Sequence, residues 1–193
     1  MKVRKLIGAS VLILGAAGIA APSAYAVNKT TTTVGVDDGS SGGNTPVFSL
    51  AAGGAMTFSQ LDLSQEAVNG LYDLTATSSE AVQVDDRRGL EDGDASLPWR
   101  VTAIASALKG TADIELPVTN FQLTMGTPAT GSGNNVSVEQ DVEILKTANI
   151  VGRAAVGRGK TTFAPAAAKI KVAETAVKGS YNGTIEYTLV SGI

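Results

Sequence analysis

From residue 46 onward, apolar positions recur in short runs separated by turn residues: 46–52, 71–76, 81–85, 99–108, 114–125, 136–145, 163–172 and 181–190. Three of these runs alternate. Trp99, Val101, Ala103 and Ala105 interleave with Arg100, Thr102, Ile104 and Ser106. Ala168, Ile170 and Val172 interleave with Lys169 and Lys171, and Tyr181, Ile185, Tyr187 and Leu189 with Asn182, Thr184, Glu186 and Thr188. A period of two gathers the apolar side chains on one face of a strand, where a helix would scatter them around its surface. Many short strands with turn signals between them predict an all-β fold, a single immunoglobulin-like antiparallel β-sandwich with long loops. One stretch, 59–68, with Leu61, Leu63 and Gln65-Glu66, suggests a minority helical element. No repeat of solenoid length is present.

The N-terminus reads differently. Lys2, Arg4 and Lys5 precede an almost unbroken apolar run over 6–21, Pro22 interrupts it, and Ala24-Tyr25-Ala26 places small residues where a signal peptidase reads them. The run is shorter than the roughly 20 residues of a bilayer span. The pattern predicts an export leader over 1–26 with Val27 as the first residue of the processed chain; an uncleaved membrane anchor is the alternative. Residues 27–45 form a polar lead, with four consecutive threonines (Thr30 to Thr33) and a Gly/Ser cluster at 39–43, and 46–193 is the folded domain. The lead suits an extended edge strand followed by a flexible loop. No cysteine follows the cleavage point, as a lipoprotein would need, and no sorting motif or hydrophobic tail is seen, so retention at a cell surface is expected to be non-covalent.

Composition narrows the chemistry. The chain has 193 residues with no His and no Cys, which excludes a Ser-His-Asp triad, a cysteine nucleophile, thiolate or imidazole metal sites, and disulfides. Sixteen of the 18 acids precede residue 144, often adjacent in loops, where they serve solubility rather than general acid–base work. The expectation is a non-catalytic protein without a cofactor. Asp37-Asp38 and the loop 91–94 offer carboxylate oxygens but lack the calcium-loop pattern, and the glycine-rich stretches lack the Lys-Ser/Thr of a phosphate loop, so no metal or nucleotide site is expected.

Charge is uneven. Residues 27–143 hold 5 basic and 16 acidic side chains, residues 144–193 hold 7 and 2. Two readings are open: two solvated faces of one domain, or a basic patch of Arg153, Arg158 and Lys160, with Lys169, Lys171 and Lys178, facing an anionic wall polymer. Sparse aromatics (5 %) and export argue against nucleic acid.

Two motif regions stand out. Val84, Asp86, Arg88 and Gly89 form a V-x-D-x-R-G strand end, followed ten residues later by Trp99 and Val101. Near the C-terminus Gly179, Tyr181, Gly183 and Ile185 run into Tyr187 and Leu189. This arrangement resembles the WxL-domain surface proteins of Gram-positive bacteria, in a divergent form like that expected of actinobacterial surface proteins. The first motif here is W-x-V and the second Y-x-L, without the second tryptophan. The resemblance covers roughly 46–193. It implies a protein of the cell surface or cell wall attached non-covalently to peptidoglycan. With the export leader and the charge, the expectation is a secreted protein whose partner is peptidoglycan or an associated anionic wall polymer, other surface proteins or a second copy being alternative partners.

Each motif residue has two readings. Trp99 is either a core anchor or a platform for a sugar ring. Asp86 and Arg88, at i and i+2, either form a partly buried ion pair fixing the loop before Trp99, with Gly89 turning the chain, or recognise a wall polymer directly. The run 179–189 also looks like the closing strand of pilin-type sandwiches. That reading makes the chain a structural fibre subunit whose lead enters a neighbour as a donated strand.

Overall fold

The computed structural model describes the backbone of Tyr25–Asn28 and residues 47–90, 93–95, 98–130 and 135–192. Fifteen strands follow in chain order: β1 (Tyr25–Asn28), β2 (Phe48–Ala51), β3 (Met56–Thr57), β4 (Leu71–Thr77), β5 (Gln83–Asp86), β6 (Trp99–Ala105), β7 (Val118–Thr124), β8 (Pro128–Thr130), β9 (Val136–Val138), β10 (Val142–Glu143), β11 (Asn149–Ala154), β12 (Gly159–Phe163), β13 (Ala167–Ala173), β14 (Ser180–Gly183) and β15 (Ile185–Ser191). A 3₁₀ turn at Thr111–Asp113 is the only helical element among the described residues. The fold is all-β and sandwich-like, with three antiparallel four-stranded sheets ordered β10-β7-β13-β4, β15-β6-β11-β9 and β2-β5-β12-β8.

Two of these sheets are halves of one folded layer. The same three chain segments pass through both: β13 pairs with β4 and β7, and β12 pairs with β5 and β8. The corner between the halves is itself hydrogen bonded. Ser78 N donates to Ala166 O at 2.9 Å, Phe163 N to Val82 O at 2.9 Å and Ala164 N to Thr127 O at 3.0 Å, and the Ser78 hydroxyl accepts from Ala166 N. The backbones there approach so closely that a Cβ on Gly126 would lie 2.2 Å from Ala164 O. Only glycine fits. The corner divides the apolar run 163–172, whose first residue ends β12 while its second half forms β13.

The second layer is β15-β6-β11-β9. Its inner face is the alternating set seen in the sequence: Trp99, Val101, Ala103, Ala105, Ile185, Tyr187 and Leu189 are all buried. Size is balanced across the ladder. Tyr187 lies opposite Ala103 and Ile185 opposite Ala105, so bulky residues of β15 stand beside small ones of β6, which lets the layers close without voids. Trp99 meets Phe163 of the other layer edge to face at 6.4 Å, and Phe58 meets Phe121 at 5.8 Å in the same geometry. Each fully buried large apolar side chain contributes roughly 1.5–3 kcal/mol by leaving water.

The helical expectation for 59–68 is not met. This segment is a turn organised by Asp62, whose carboxylate accepts from Ser64 N, Ser64 Oγ and Gln65 Nε2 while its carbonyl accepts from Gln65 N. Such local side-chain bonds compete with helix formation, and they hold the Asp62 carboxyl below its ordinary pKa, the Ser64 hydroxyl first. Beyond it, Asn69 and Gly70 both have positive φ (53° and 74°) inside a pair of Val68–Leu71 backbone hydrogen bonds at 3.0 and 3.1 Å. That is a two-residue hairpin turn of the Asn-Gly kind. Of the lead, 27–45, only Val27 and Asn28 are described, at the end of β1; the rest lies outside the described residues, and so does the expectation of an edge strand there.

Candidate functional site

Three pieces of the motif, far apart in sequence, meet at one end of the sandwich. β5 ends at Asp86, opposite Phe48 of β2. Arg88 folds back on Asp86 in a bidentate pair, Nε to Oδ1 at 2.8 Å and Nη2 to Oδ2 at 2.7 Å. Both side chains are withdrawn from water, 8 % and 3 % exposed. The guanidinium carbon sits 3.9 Å from the Phe48 ring centroid, and Nη1 donates to Ser191 Oγ at 2.6 Å. Ser191 is the ladder partner of Trp99, and Gly192 N donates to Pro98 O at 2.8 Å. The buried pair therefore ties the strand end of β5 to both β6 and β15. Gly89, at φ +70°, turns the chain away immediately afterwards.

Trp99 is 1 % exposed. Its indole lies under the β11–β12 connection so tightly that a Cβ on Gly157 would stand 1.9 Å from Nε1. No face of the ring is open to a sugar. Val101, Tyr187 and Leu189 are buried with it, Leu189 directly opposite Val101. Tyr181 is buried elsewhere, on β14, and its hydroxyl donates to Val177 O at 2.7 Å. Burial pushes both phenols up, Tyr187 far above the ordinary value. The motif residues thus form framework, and what they present to solvent is the surface above them.

That surface is a cleft of about 290 Å³ lined by Asp86, Arg87, Gly89, Leu90, Gly157, Arg158 and Gly159. Arg158 reaches across it and donates to Leu90 O at 2.9 Å. Arg87 is 64 % exposed and forms a bidentate pair with Asp85, at 2.9 and 2.8 Å. Carbonyls, exposed backbone and two guanidiniums suit a ligand of hydroxyls and anionic groups. Arg87, at an unspecified position of the V-x-D-x-R-G run, and Leu90 had no signal of their own, and Gly157 had only the Gly-Arg-Gly of 157–159.

The basic residues of the last third do not make a single patch. Arg153 pairs with Glu139 at 2.7 Å, Lys169 with Asp141 at 3.0 Å, Lys171 with Asp73 at 2.7 Å and Lys146 with Glu115 at 3.6 Å. Lys160 lies opposite Asp85 in the β12–β5 ladder. Of the trio Arg153, Arg158 and Lys160, only Arg158 lines the cleft. The acidic first part of the chain and its basic remainder are interleaved by strand pairing, so the charges largely neutralise one another locally.

Glu143 is bound up in structure. Its carboxylate accepts from Phe121 N, Leu145 N and the Asn120 amide, finishing the edge beside β10. Among the described residues no three carboxylates converge on a common point; Asp37 and Asp38 lie outside them, as do Glu91 and Asp92 of the acidic loop. The fold and the site define an all-β sandwich with a motif-built, arginine-lined cleft at one end. No family model matches the chain, and no curated protein matches it.

Proposed function

We propose that the chain is an exported, non-catalytic surface protein that holds the bacterial cell wall non-covalently, a divergent relative of the WxL-domain proteins, with the Arg87–Arg158 cleft as its contact. One observation carries this reading. The Asp86–Arg88 pair is locked to Ser191 beside Trp99, so Asp86, Arg88 and Trp99, three of the residues that carry the resemblance, lie together beneath one surface feature. A rigid floor holds the exposed arginines and glycine backbone in place for a polyhydroxylated or anionic polymer. Peptidoglycan and a phosphate-bearing wall polymer both offer that chemistry, and neither requires a cofactor.

Co-sedimentation of the processed protein with Gram-positive sacculi tests the proposal, using sacculi with and without their anionic polymers. Binding to both points to peptidoglycan, and binding lost on stripping points to the anionic polymer. If binding is to the anionic polymer it weakens with salt, because exposed charges are screened over about 8 Å at physiological ionic strength. Absence of sedimentation with either preparation overturns the reading.

A further inference from the structure

Strand β11 carries one residue more than β6 can match. Ile150 stands opposite Thr102 and Gly152 opposite Val101, so Val151 is the extra residue of a β-bulge. Val151 and Gly152 are both buried. Beyond them the register runs on regularly, with Arg153 opposite Arg100 and Ala154 opposite Trp99. Without the bulge Arg153 would stand opposite Trp99, on the buried side of the sheet. With it, Arg153 turns to the outer face, where the alternation of β6 also sets Arg100 between buried Trp99 and Val101. Bulges re-aim side chains at the expense of ladder regularity, and they gather beside functional sites.

The result is two arginines abreast. Directly opposed residues have Cβ atoms about 4.5–5.5 Å apart, and like charges so placed destabilise a sheet. Only one of the two charges is answered. Arg153 is 52 % exposed and pairs with Glu139 at 2.7 Å. Arg100 is half-buried and makes no ion pair or side-chain hydrogen bond among the described residues. Its ladder neighbour on β15 is Val190, and the one acid of that strand, Glu186, stands opposite Ile104, about 13 Å away along the strand at ~3.3 Å per residue. Hydroxyls flank the pair instead. Ser137 is opposite Arg153, Thr102 is the next outward residue of β6, and Thr188 is opposite Thr102. None of these three hydroxyls has a protein partner among the described residues.

We propose that Arg100 and Arg153 form a phosphodiester-binding site, the second contact of a phosphate-bearing wall polymer whose first contact is the cleft. The site rests on the wall reading for the identity of that polymer, and it deepens the reading by naming phosphodiester as the group held. Charge decides the class. With Glu139 answering Arg153, the pair carries one net positive charge. That matches the single negative charge of a phosphodiester better than the nearly double charge of a phosphomonoester. Each guanidinium offers a planar fork of N–H donors to phosphate oxygens, and the flanking hydroxyls suit the polyol between phosphates. The Arg100–Arg153 row is the next along the ladder from the row of Ser191, Trp99 and Ala154 beneath the cleft. A polymer leaving the cleft round the end of this sheet therefore reaches the pair.

Titration calorimetry of the processed protein with a phosphodiester-linked glycerol phosphate oligomer, at fixed ionic strength, tests the site. The wild type is expected to bind the oligomer and not a neutral maltose oligomer. Arg100→Gln and Arg153→Gln, the second of which leaves Glu139 to neutralise Arg100, are each expected to bind at least about fivefold more weakly. Lys178→Gln removes the same charge from an exposed position before β14 and is expected to stay within about twofold of the wild type. Arg100→Gln relieves the cross-strand repulsion, so its urea midpoint is expected to be no lower than that of the wild type, which separates lost binding from lost folding. A wild type that does not bind the oligomer, or an Arg100→Gln protein that binds it as well, overturns the proposal. Equal weakening by Lys178→Gln overturns it too, because net charge alone then explains the binding. Sedimentation with sacculi reports the wall reading separately. A wild type that binds the oligomer through Arg100 but sediments with no sacculus overturns wall attachment and leaves the phosphodiester site standing. One that sediments while Arg100→Gln matches it on the oligomer overturns the site alone.

Discussion

Arg88 and Ser191, 103 positions apart, are joined by a 2.6 Å hydrogen bond from the guanidinium to the hydroxyl. The same guanidinium is clamped by Asp86 and stacked on Phe48. One side chain thus connects β2, β5 and β15. A buried pair of this kind adds little net stability over an apolar equivalent, yet losing one partner strands a charge. Arg88→Ala should cost about 3–5 kcal/mol by denaturant unfolding, and Ser191→Ala about 1–2 kcal/mol. A loss under 1 kcal/mol for Arg88→Ala would show that the clamp is not what joins the strands.

Trp99 is the only tryptophan and reports its own burial. Its emission should be blue-shifted and resistant to iodide quenching in the native protein. Trp99→Ala should cost about 3–5 kcal/mol. Gly157→Ala should push the indole aside, costing about 1–3 kcal/mol, with a change in emission. Red-shifted, quenchable emission from the wild type contradicts the buried position.

Thr161 is 1 % exposed, and its hydroxyl is buried without a hydrogen-bond partner among the described residues. Burying an unpaired polar group costs about 1–3 kcal/mol. Thr161→Val keeps the shape and removes that group, so it should raise stability by about 1 kcal/mol in urea unfolding. A destabilised variant would mean that the hydroxyl has a partner after all.

Alkaline pH should unfold the domain through its phenols. Burial raises the pKa of Tyr187 and, less strongly, of Tyr181, so the folded state holds these protons above the ordinary value near 10, where the unfolded state releases them. Their contribution is fully present below about pH 10 and is lost as pH rises beyond it. Phenolate absorbance from these residues should appear together with loss of the β-sheet signal, and Tyr187→Phe should move that transition to higher pH. Ionisation of Tyr187 in a protein that stays folded contradicts the assignment.

Much of the fold was legible in the sequence because period-two alternation is a local property. The β6 and β13 faces are buried residue by residue as the alternation indicates. What escaped needs topology. The run 136–145 divides into β9 and β10, and 181–190 into β14 and β15, because strands change partners at these points and apolarity does not register that. The expected helix yielded to the Asp62 turn, whose polar side chains outweigh two leucines. The charge asymmetry was real in sequence, yet which carboxylate faces Lys171 depends on the β13–β4 register. Trp99 could not be assigned to core or surface until the crossing of Gly157 over its ring was known. Nor could the sequence alone bring Arg88 to Ser191.

The proposed contact between this cleft and the wall is tested most directly by one comparison. Sacculus binding of the wild type is measured beside Arg87→Glu/Arg158→Glu and beside Lys171→Ala, which lies on the outer face of β13 away from the cleft. Equal unfolding midpoints are required of all three. The cleft variant should lose binding by at least about tenfold, while Lys171→Ala should bind as the wild type does. Equal retention by the cleft variant and the wild type, with both folded, contradicts the claim.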